Sequence, residues 1–230
     1  MKTLGILAGM SPESSATYYL EINRLINQAL GGNSSAQLIM LSVNFEEIVQ
    51  CQRAGDWLKA GEILATAAKK LEDFGAEGIV LATNTMHKVA PQIKSAIRVP
   101  FLSVIDVTAE VIHGKQIKKV ALLGTKFTMS DTFYREALEA HGIEVIVPNE
   151  EIQNEIHRII FDELCIGQCS MDSKQYYIEV IQQLQQQGAE AVILGCTEIG
   201  LLIQQQDADI PFLDTTLLHS QAAAQFILGK

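Results

Sequence analysis

Cys196 is the residue of this sequence whose type and setting best suit the movement of a proton. It follows the apolar run Ala191–Leu194 and Gly195, and it precedes Thr197 and Glu198. A free thiol has a pKa of about 8.5, and placement at a helix N-terminus lowers it. The turn after Cys196 reads as a passage from strand to helix of that kind. Thr83 occupies the matching place in an earlier segment. Gly75-Ala-Glu-Gly-Ile-Val-Leu-Ala-Thr83 aligns with Gly188-Ala-Glu-Ala-Val-Ile-Leu-Gly-Cys196 at a constant offset of 113 residues (188 − 75 = 196 − 83 = 113). Val99-Pro-Phe-Leu102 repeats as Ile210-Pro-Phe-Leu213 at an offset of 111, and Leu4-Gly-Ile-Leu-Ala-Gly9 returns as Val120-Ala-Leu-Leu-Gly-Thr125 at 116. Three matches in one order point to an internal duplication.

Two copies of a half-fold pack about a pseudo-twofold axis, with equivalent strand ends across a cleft. Residue 83 is then expected on one wall and residue 196 on the other. Such opposition serves one chemistry well: inverting a carbon centre means taking a proton from one face and returning one to the other. Thr83 and Cys196 are the candidate catalytic pair. Candidate substrate contacts are the polar residues at the same turns: Asn84 and Thr85 after the first, Thr197 and Glu198 after the second. Met10, Ser11 and Thr125 join them, at turns whose helix N-termini would offer N–H groups to a carboxylate. These contacts bear on rate, because proton loss from Cα spreads charge onto that carboxylate. Gln52 and Arg53 lie in a loop-to-helix region, where the Arg53 fork suits bidentate pairing with a second, distal carboxylate. Lys174 is a weaker candidate of the same kind.

The elements that must position these residues alternate along the chain. Leu4–Ala8, Gln37–Val43, Ile79–Ala82, Phe101–Ile105, Val120–Leu123, Glu144–Val147, Ala191–Leu194 and Pro211–Leu213 read as strands. Between them, Pro12–Leu30, Leu58–Phe74, Thr132–Ala140, Glu151–Leu164 and Ser173–Gln187 read as helices, the first opened by Ser11 as cap and Pro12 as first helical residue. Continuous apolar strands separated by helices imply parallel sheets covered on both faces. The expected fold is α/β, in two similar lobes: residues 1–100 with 214–230, and residues 101–213. The final helix, Thr215–Leu228, is expected to return to the first lobe.

Bulk properties exclude several function classes. A net charge of −10 argues against a nucleic-acid or anionic-membrane partner, since both require clustered Lys and Arg. The N-terminal apolar run reads as a strand rather than a secretion signal, and no segment reaches the ~18 apolar residues that cross a bilayer. A cytoplasmic protein with reduced thiols is expected. Cys165 and Cys169 lack a second pair or a nearby His, so they do not form a zinc site, and no metal is expected. Nucleotide-binding and zinc-protease signatures are missing, as is a Gly-x-Ser-x-Gly nucleophile elbow.

At this level of detail the chain resembles the aspartate/glutamate racemases, and especially their aspartate racemase branch. The resemblance rests on Val192-Ile-Leu-Gly-Cys-Thr-Glu-Ile-Gly-Leu-Leu202, on Ile79-Val-Leu-Ala-Thr-Asn-Thr-Met-His87 and on the opening Gly5-Ile-Leu-Ala-Gly-Met-Ser11. It implies a small-molecule amino-acid substrate, a pair of opposed cysteines as acid and base, no pyridoxal phosphate or other cofactor, and a homodimer. Thr83 departs from that pattern, standing where the family carries its first catalytic cysteine. Some relatives with this threonine are regarded as L-aspartate/L-glutamate-specific racemases. A threonine hydroxyl does not ionise near neutral pH, so it is a poor base, yet it can donate to a carbanion.

Blander readings stand beside these. A cysteine at a strand end is ordinarily a small buried hydrophobe, and Cys51, Cys165 and Cys169 are read that way. Asn84, Thr85 and Thr197 also suit helix caps, His87 suits a core edge as well as a cleft, and Met10, Met86 and Met129 suit packing. Alternative functions are a hydantoin racemase, a one-cysteine decarboxylase of the same superfamily, or an amino-acid-binding protein that has lost catalysis.

Overall fold

Eight strands form two separate four-stranded parallel sheets, and the computed structural model describes residues 1–230. In the first sheet, β1 (Leu4–Ala8), β2 (Leu38–Ser42), β3 (Gly78–Leu81) and β4 (Phe101–Leu102) lie in the order β2-β1-β3-β4. In the second, β5 (Lys119–Gly124), β6 (Glu144–Ile146), β7 (Ala191–Gly195) and β8 (Phe212–Asp214) lie in the order β6-β5-β7-β8. Every neighbouring pair runs parallel. The two orders are the same once β1 is matched to β5, which is what the sequence repeat requires.

The chain divides into one compact unit of Met1–Val104 with His219–Lys230 and another of Ile105–Leu218. Around the first sheet lie α1 (Pro12–Leu30), α2 (Phe45–Ala54), α3 (Trp57–Asp73) and α4 (Ala90–Ala96). After α5 (Val104–Gly114), the second unit adds α6 (Lys126–Ser130), α7 (Thr132–Ala140), α8 (Glu150–Asp162), α9 (Met171–Gln186) and the short α10 (Ile199–Leu202). The closing helix α11 (Thr215–Leu228) packs its later turns on the first sheet. A Cβ on Gly78 would lie 2.5 Å from the Phe226 ring, so glycine is what lets α11 approach β3. The Lys2 N–H also donates to the Ile227 carbonyl at 2.9 Å.

Alternation along the strands builds the core. Leu7, Ile79 and Leu81 face the cluster under α3, whereas Leu4, Ile6, Ala8, Val80 and Ala82 face the cluster under α1 and α11. Both faces are buried, so the strands carry no polar side and read as unbroken apolar runs.

The structure differs from expectation at the exit of β4. The strand ends at Leu102, and Val104–Gly114 is helical. Val104, Ile105, Thr108, Ala109 and Ile112 are buried, a spacing of a helix face that a short apolar run does not distinguish from a strand. Phe101 pairs with Ile79 in the first sheet, so the first unit runs on to Val104 rather than ending at residue 100. Gln52 and Arg53, read as lying in a loop-to-helix region, are inside α2, which is helical throughout and capped by the Asn44 side chain. No helix is long and apolar enough to cross a membrane.

Candidate active site

Strand order decides where each sheet can hold a ligand. In the first sheet the chain leaves β1 for β2 on one side and leaves β3 for β4 on the other. The carboxyl ends of β1 and β3 therefore flank a switch point, where the connections diverge and leave a crevice. Met10 and Ser11 follow β1, and Thr83, Asn84 and Thr85 follow β3. In the second sheet the same place lies between Thr125, after β5, and Cys196, Thr197 and Glu198, after β7.

In the first unit hydrogen bonds tie the turn after β1 to the turn after β3. Ser11 caps α1 by accepting from the Ser14 N–H, and the Ser15 hydroxyl donates to the Ser11 carbonyl at 2.6 Å. The Gly9 N–H donates to Ser15 Oγ at 2.7 Å, so that N–H is already committed rather than held for a carboxylate. The Ser14 hydroxyl donates to the Ala82 carbonyl at 3.2 Å and ties the α1 entrance to the β3 exit. Gln52 is buried on α2, and its amide reaches the Met86 sulfur at 3.1 Å. Arg53, one residue on, is exposed in the last turn of the same helix. Met10, Ser11, Gln52, Thr83, Asn84 and Thr85 are all buried.

In the second unit Gly124 and Gly195 pair across β5 and β7, and a Cβ on either would lie 2.9 Å from backbone oxygen. Close backbone approach here brings Thr125 and Cys196 to adjacent strand ends. Thr125 caps α6 through its hydroxyl. The Thr215 hydroxyl donates to the Leu194 carbonyl at 2.8 Å, holding the strand just before Cys196. The Cys196 thiol donates to Glu198 Oε2 at 3.0 Å, and Glu198 is buried. Thr197, between them, is half-buried. Lys174 is paired with Asp207 at 2.8 Å. No three His, Cys, Asp or Glu side chains converge as a metal set would.

The electrostatics of Cys196 reverse the expectation of an eased thiol. Burial pushes its pKa well above the ordinary value, and the Glu198 charge and hydrogen bond push the same way. The Glu198 backbone N–H pulls in the other direction without overcoming them. The helix that follows, Ile199–Leu202, is too short to supply a strong N-terminal dipole and starts three residues on. Cys196 thus rests as a thiol beside a carboxylate.

The chain matches known proteins. A sequence model described as Asp/Glu/Hydantoin racemase covers residues 7–223. The chain belongs to the Asp/Glu/hydantoin racemase family. Membership places it among the isomerases, as an amino-acid racemase. A broad specificity amino-acid racemase of Bacillus subtilis is 26% identical over 98% of both chains. Among solved structures, a protein of Yersinia pestis described as a candidate Asp/Glu racemase is 48% identical, with a TM-score of 0.93 over 99% of this chain and 100% of that one. An aspartate racemase homologue of Pyrococcus horikoshii is 38% identical, with a TM-score of 0.87 and the same coverage.

Reading the sequence of this racemase missed two residues that join His87 beside its turns. His87 is buried rather than at a core edge, and His219 of α11 and Tyr18 of α1 join it. The signal was faint: His219 is a lone histidine in an apolar helix, a pattern that by itself means a satisfied core side chain. Tyr177 of α9 was also passed over. Its hydroxyl is fully buried without a hydrogen-bond partner, and burial followed by the Cys196 charge holds its pKa up.

Proposed function

We propose that this racemase interconverts the enantiomers of an acidic amino acid, aspartate or glutamate, without a cofactor. Cys196 and Thr83 act on opposite faces of Cα. The observation that carries the reading is the thiol–carboxylate pair at the carboxyl end of β7, 3.0 Å apart. A thiol alone at high pKa is a weak reagent at neutral pH. With Glu198 as its hydrogen-bond acceptor, the proton has a destination at contact distance, and the α-ammonium group of an arriving substrate offsets the charge that forms.

The steps balance as follows. Cys196 passes its proton to Glu198, and the thiolate takes the Cα hydrogen of one enantiomer. The carbanion then takes the Thr83 hydroxyl proton on its other face, Thr83 recovers a proton from water, and Glu198 gives its proton to the hydroxide so formed, which restores the resting thiol–carboxylate pair. Thr83 is a far better donor than base, so abstraction is fast from the Cys196 side and slow from the other. Mirror-image amino acids have equal free energies in water, so kcat/KM must still be equal in both directions. The asymmetry therefore appears in kcat and KM separately, and in Cα exchange that outruns inversion. Asn84, Thr85 and Thr197, with Met10, Ser11 and Thr125, supply the walls that receive the substrate. Gln52 supports this wall from beneath Met86, and Arg53 is proposed for the distal carboxylate.

The racemase names of the relatives support the substrate class, and the repeat that pairs residue 83 with 196 supports the opposed roles. The proposal extends to a cytoplasmic homodimer, for which Tyr19, Leu20 and Leu30 leave apolar surface on α1. The test is chiral chromatography of L- and D-aspartate and of L- and D-glutamate after incubation with dialysed enzyme. Inversion that disappears in Cys196→Ser supports the reading. Inversion at the wild-type rate in that variant overturns it.

A further inference from the structure

The hydrogen bonds around His87 admit one tautomer. A backbone N–H can only donate, so His87 Nε2 accepts from Val104 at 3.1 Å and carries no proton. The ring proton then sits on Nδ1 and donates to the Thr83 carbonyl at 2.8 Å. His219 is set in the opposite sense: Nε2 donates to the Leu102 carbonyl and Nδ1 accepts from the Tyr18 hydroxyl, each at 2.9 Å. The two rings meet edge to face with centroids 6.2 Å apart, and both grip the segment that leaves β4. Burial first, then the neighbouring His219 and Lys94, hold the His87 pKa down at about 3, so the ring stays neutral.

Thr83 is fixed on each side by this arrangement. Its own N–H donates to the Leu81 carbonyl at 2.8 Å, the preceding carbonyl of Ala82 takes the Ser14 hydroxyl, and its own carbonyl takes His87. The equivalent of His87 in the second unit, 113 residues on, is Gly200. There the space is filled by Asp214, whose carboxylate would lie 2.6 Å from a Cβ. The repeat therefore places a histidine four residues after Thr83 and a glycine four residues after Cys196. We infer that His87 is a positioning residue for Thr83: its Nδ1–H, bonded to the Thr83 carbonyl, orients the hydroxyl that returns a proton to Cα. This inference rests on the donor role proposed for Thr83.

Two variants divide the imidazole's functions. Asn places a donor near the position of Nδ1, and Gln places an acceptor near that of Nε2. Each is measured for inversion and for Cα deuterium uptake in heavy water, from the enantiomer whose hydrogen Cys196 removes. Misplacement of a reacting group by about 1 Å costs on the order of 100-fold. His87→Gln is expected to lose inversion about 10- to 100-fold while uptake stays within about 3-fold of wild type, and His87→Asn to keep inversion within about 5-fold. Inversion at the wild-type rate in His87→Gln, or equal loss of inversion and uptake, overturns the inference. Absence of uptake by the wild-type enzyme from all four amino acids instead overturns the racemase reading beneath it. Should either variant fail to fold, nitrogen-15 spectra of the wild-type imidazoles decide. A neutral Nδ1–H tautomer from about pH 5 to about pH 8 supports the inference, and an Nε2–H tautomer or an imidazolium overturns it.

Discussion

Glu198→Gln removes the charge nearest the reactive thiol while keeping the size of the side chain. With Sγ and Oε2 3.0 Å apart, the repulsion between thiolate and carboxylate is about 1.4 kcal/mol at the dielectric of water and about 5.5 kcal/mol at an effective dielectric of about 20. At about 1.4 kcal/mol per pKa unit, that spans roughly one to four units. Cys196 is partly open to solvent, which weights the lower end. The sign is unambiguous: removing a negative charge favours the thiolate, and the Gln amide can donate to it. The Cys196 pKa should fall by at least about one unit. The assay is the pH dependence of iodoacetamide alkylation, followed on the peptide that contains Cys196. The plateau of kcat/KM should fall, because the amide cannot take the thiol proton. An unchanged alkylation pKa, or a rise, would refute the electrostatic coupling of the pair.

Thr83→Cys supplies a second ionisable thiol, so chiral chromatography should show faster inversion and a smaller gap between the kcat values of the two directions. Gly200→Ala would drive a methyl group into Asp214, whose carboxylate accepts from the Thr216 and Leu217 N–H groups at the start of α11. Loss of that cap should cost about 1–2 kcal/mol in a denaturant titration, with slower catalysis from the displaced turn after Cys196. His87 and His219 have pKa values held down to about 3 and about 4 by burial, against about 6.5 when unfolded. A depressed histidine favours the folded state fully above about pH 6.5, and that stability is lost as pH falls toward the folded values. Tm should therefore drop steeply between about pH 6.5 and about pH 4, and the drop should be shallower in His219→Asn.

Much of this fold is legible because both sheets are parallel and covered on each side, which writes strands such as Leu4–Ala8 and Ala191–Gly195 as unbroken apolar runs. The helix Pro12–Leu30 is legible to the residue, because Ser11 and Pro12 mark its start and Gly31 its end. The repeat placed Thr83 and Cys196 at equivalent strand ends, and both lie at the carboxyl ends of equivalent strands, β3 and β7. What escaped was set by packing over long separations. Val104 and Ile105 read as a strand because a short run of β-branched residues does not reveal which period it obeys. The pKa of Cys196 was misjudged because burial and the orientation of Glu198 are three-dimensional facts, whereas the sequence showed a turn. His219 lies 132 residues from His87, and no local pattern joins them (219 − 87 = 132).

The central claim is that Cys196 removes the Cα proton of an acidic amino acid. It is tested most directly by incubating wild-type enzyme and Cys196→Ser with each of L- and D-aspartate and L- and D-glutamate in heavy water, following Cα deuterium by mass spectrometry. The account predicts uptake by wild type from at least one acidic amino acid, faster than or equal to its inversion, and neither in Cys196→Ser. Uptake by the serine variant at the wild-type rate, or none by wild type with any of the four, would contradict it.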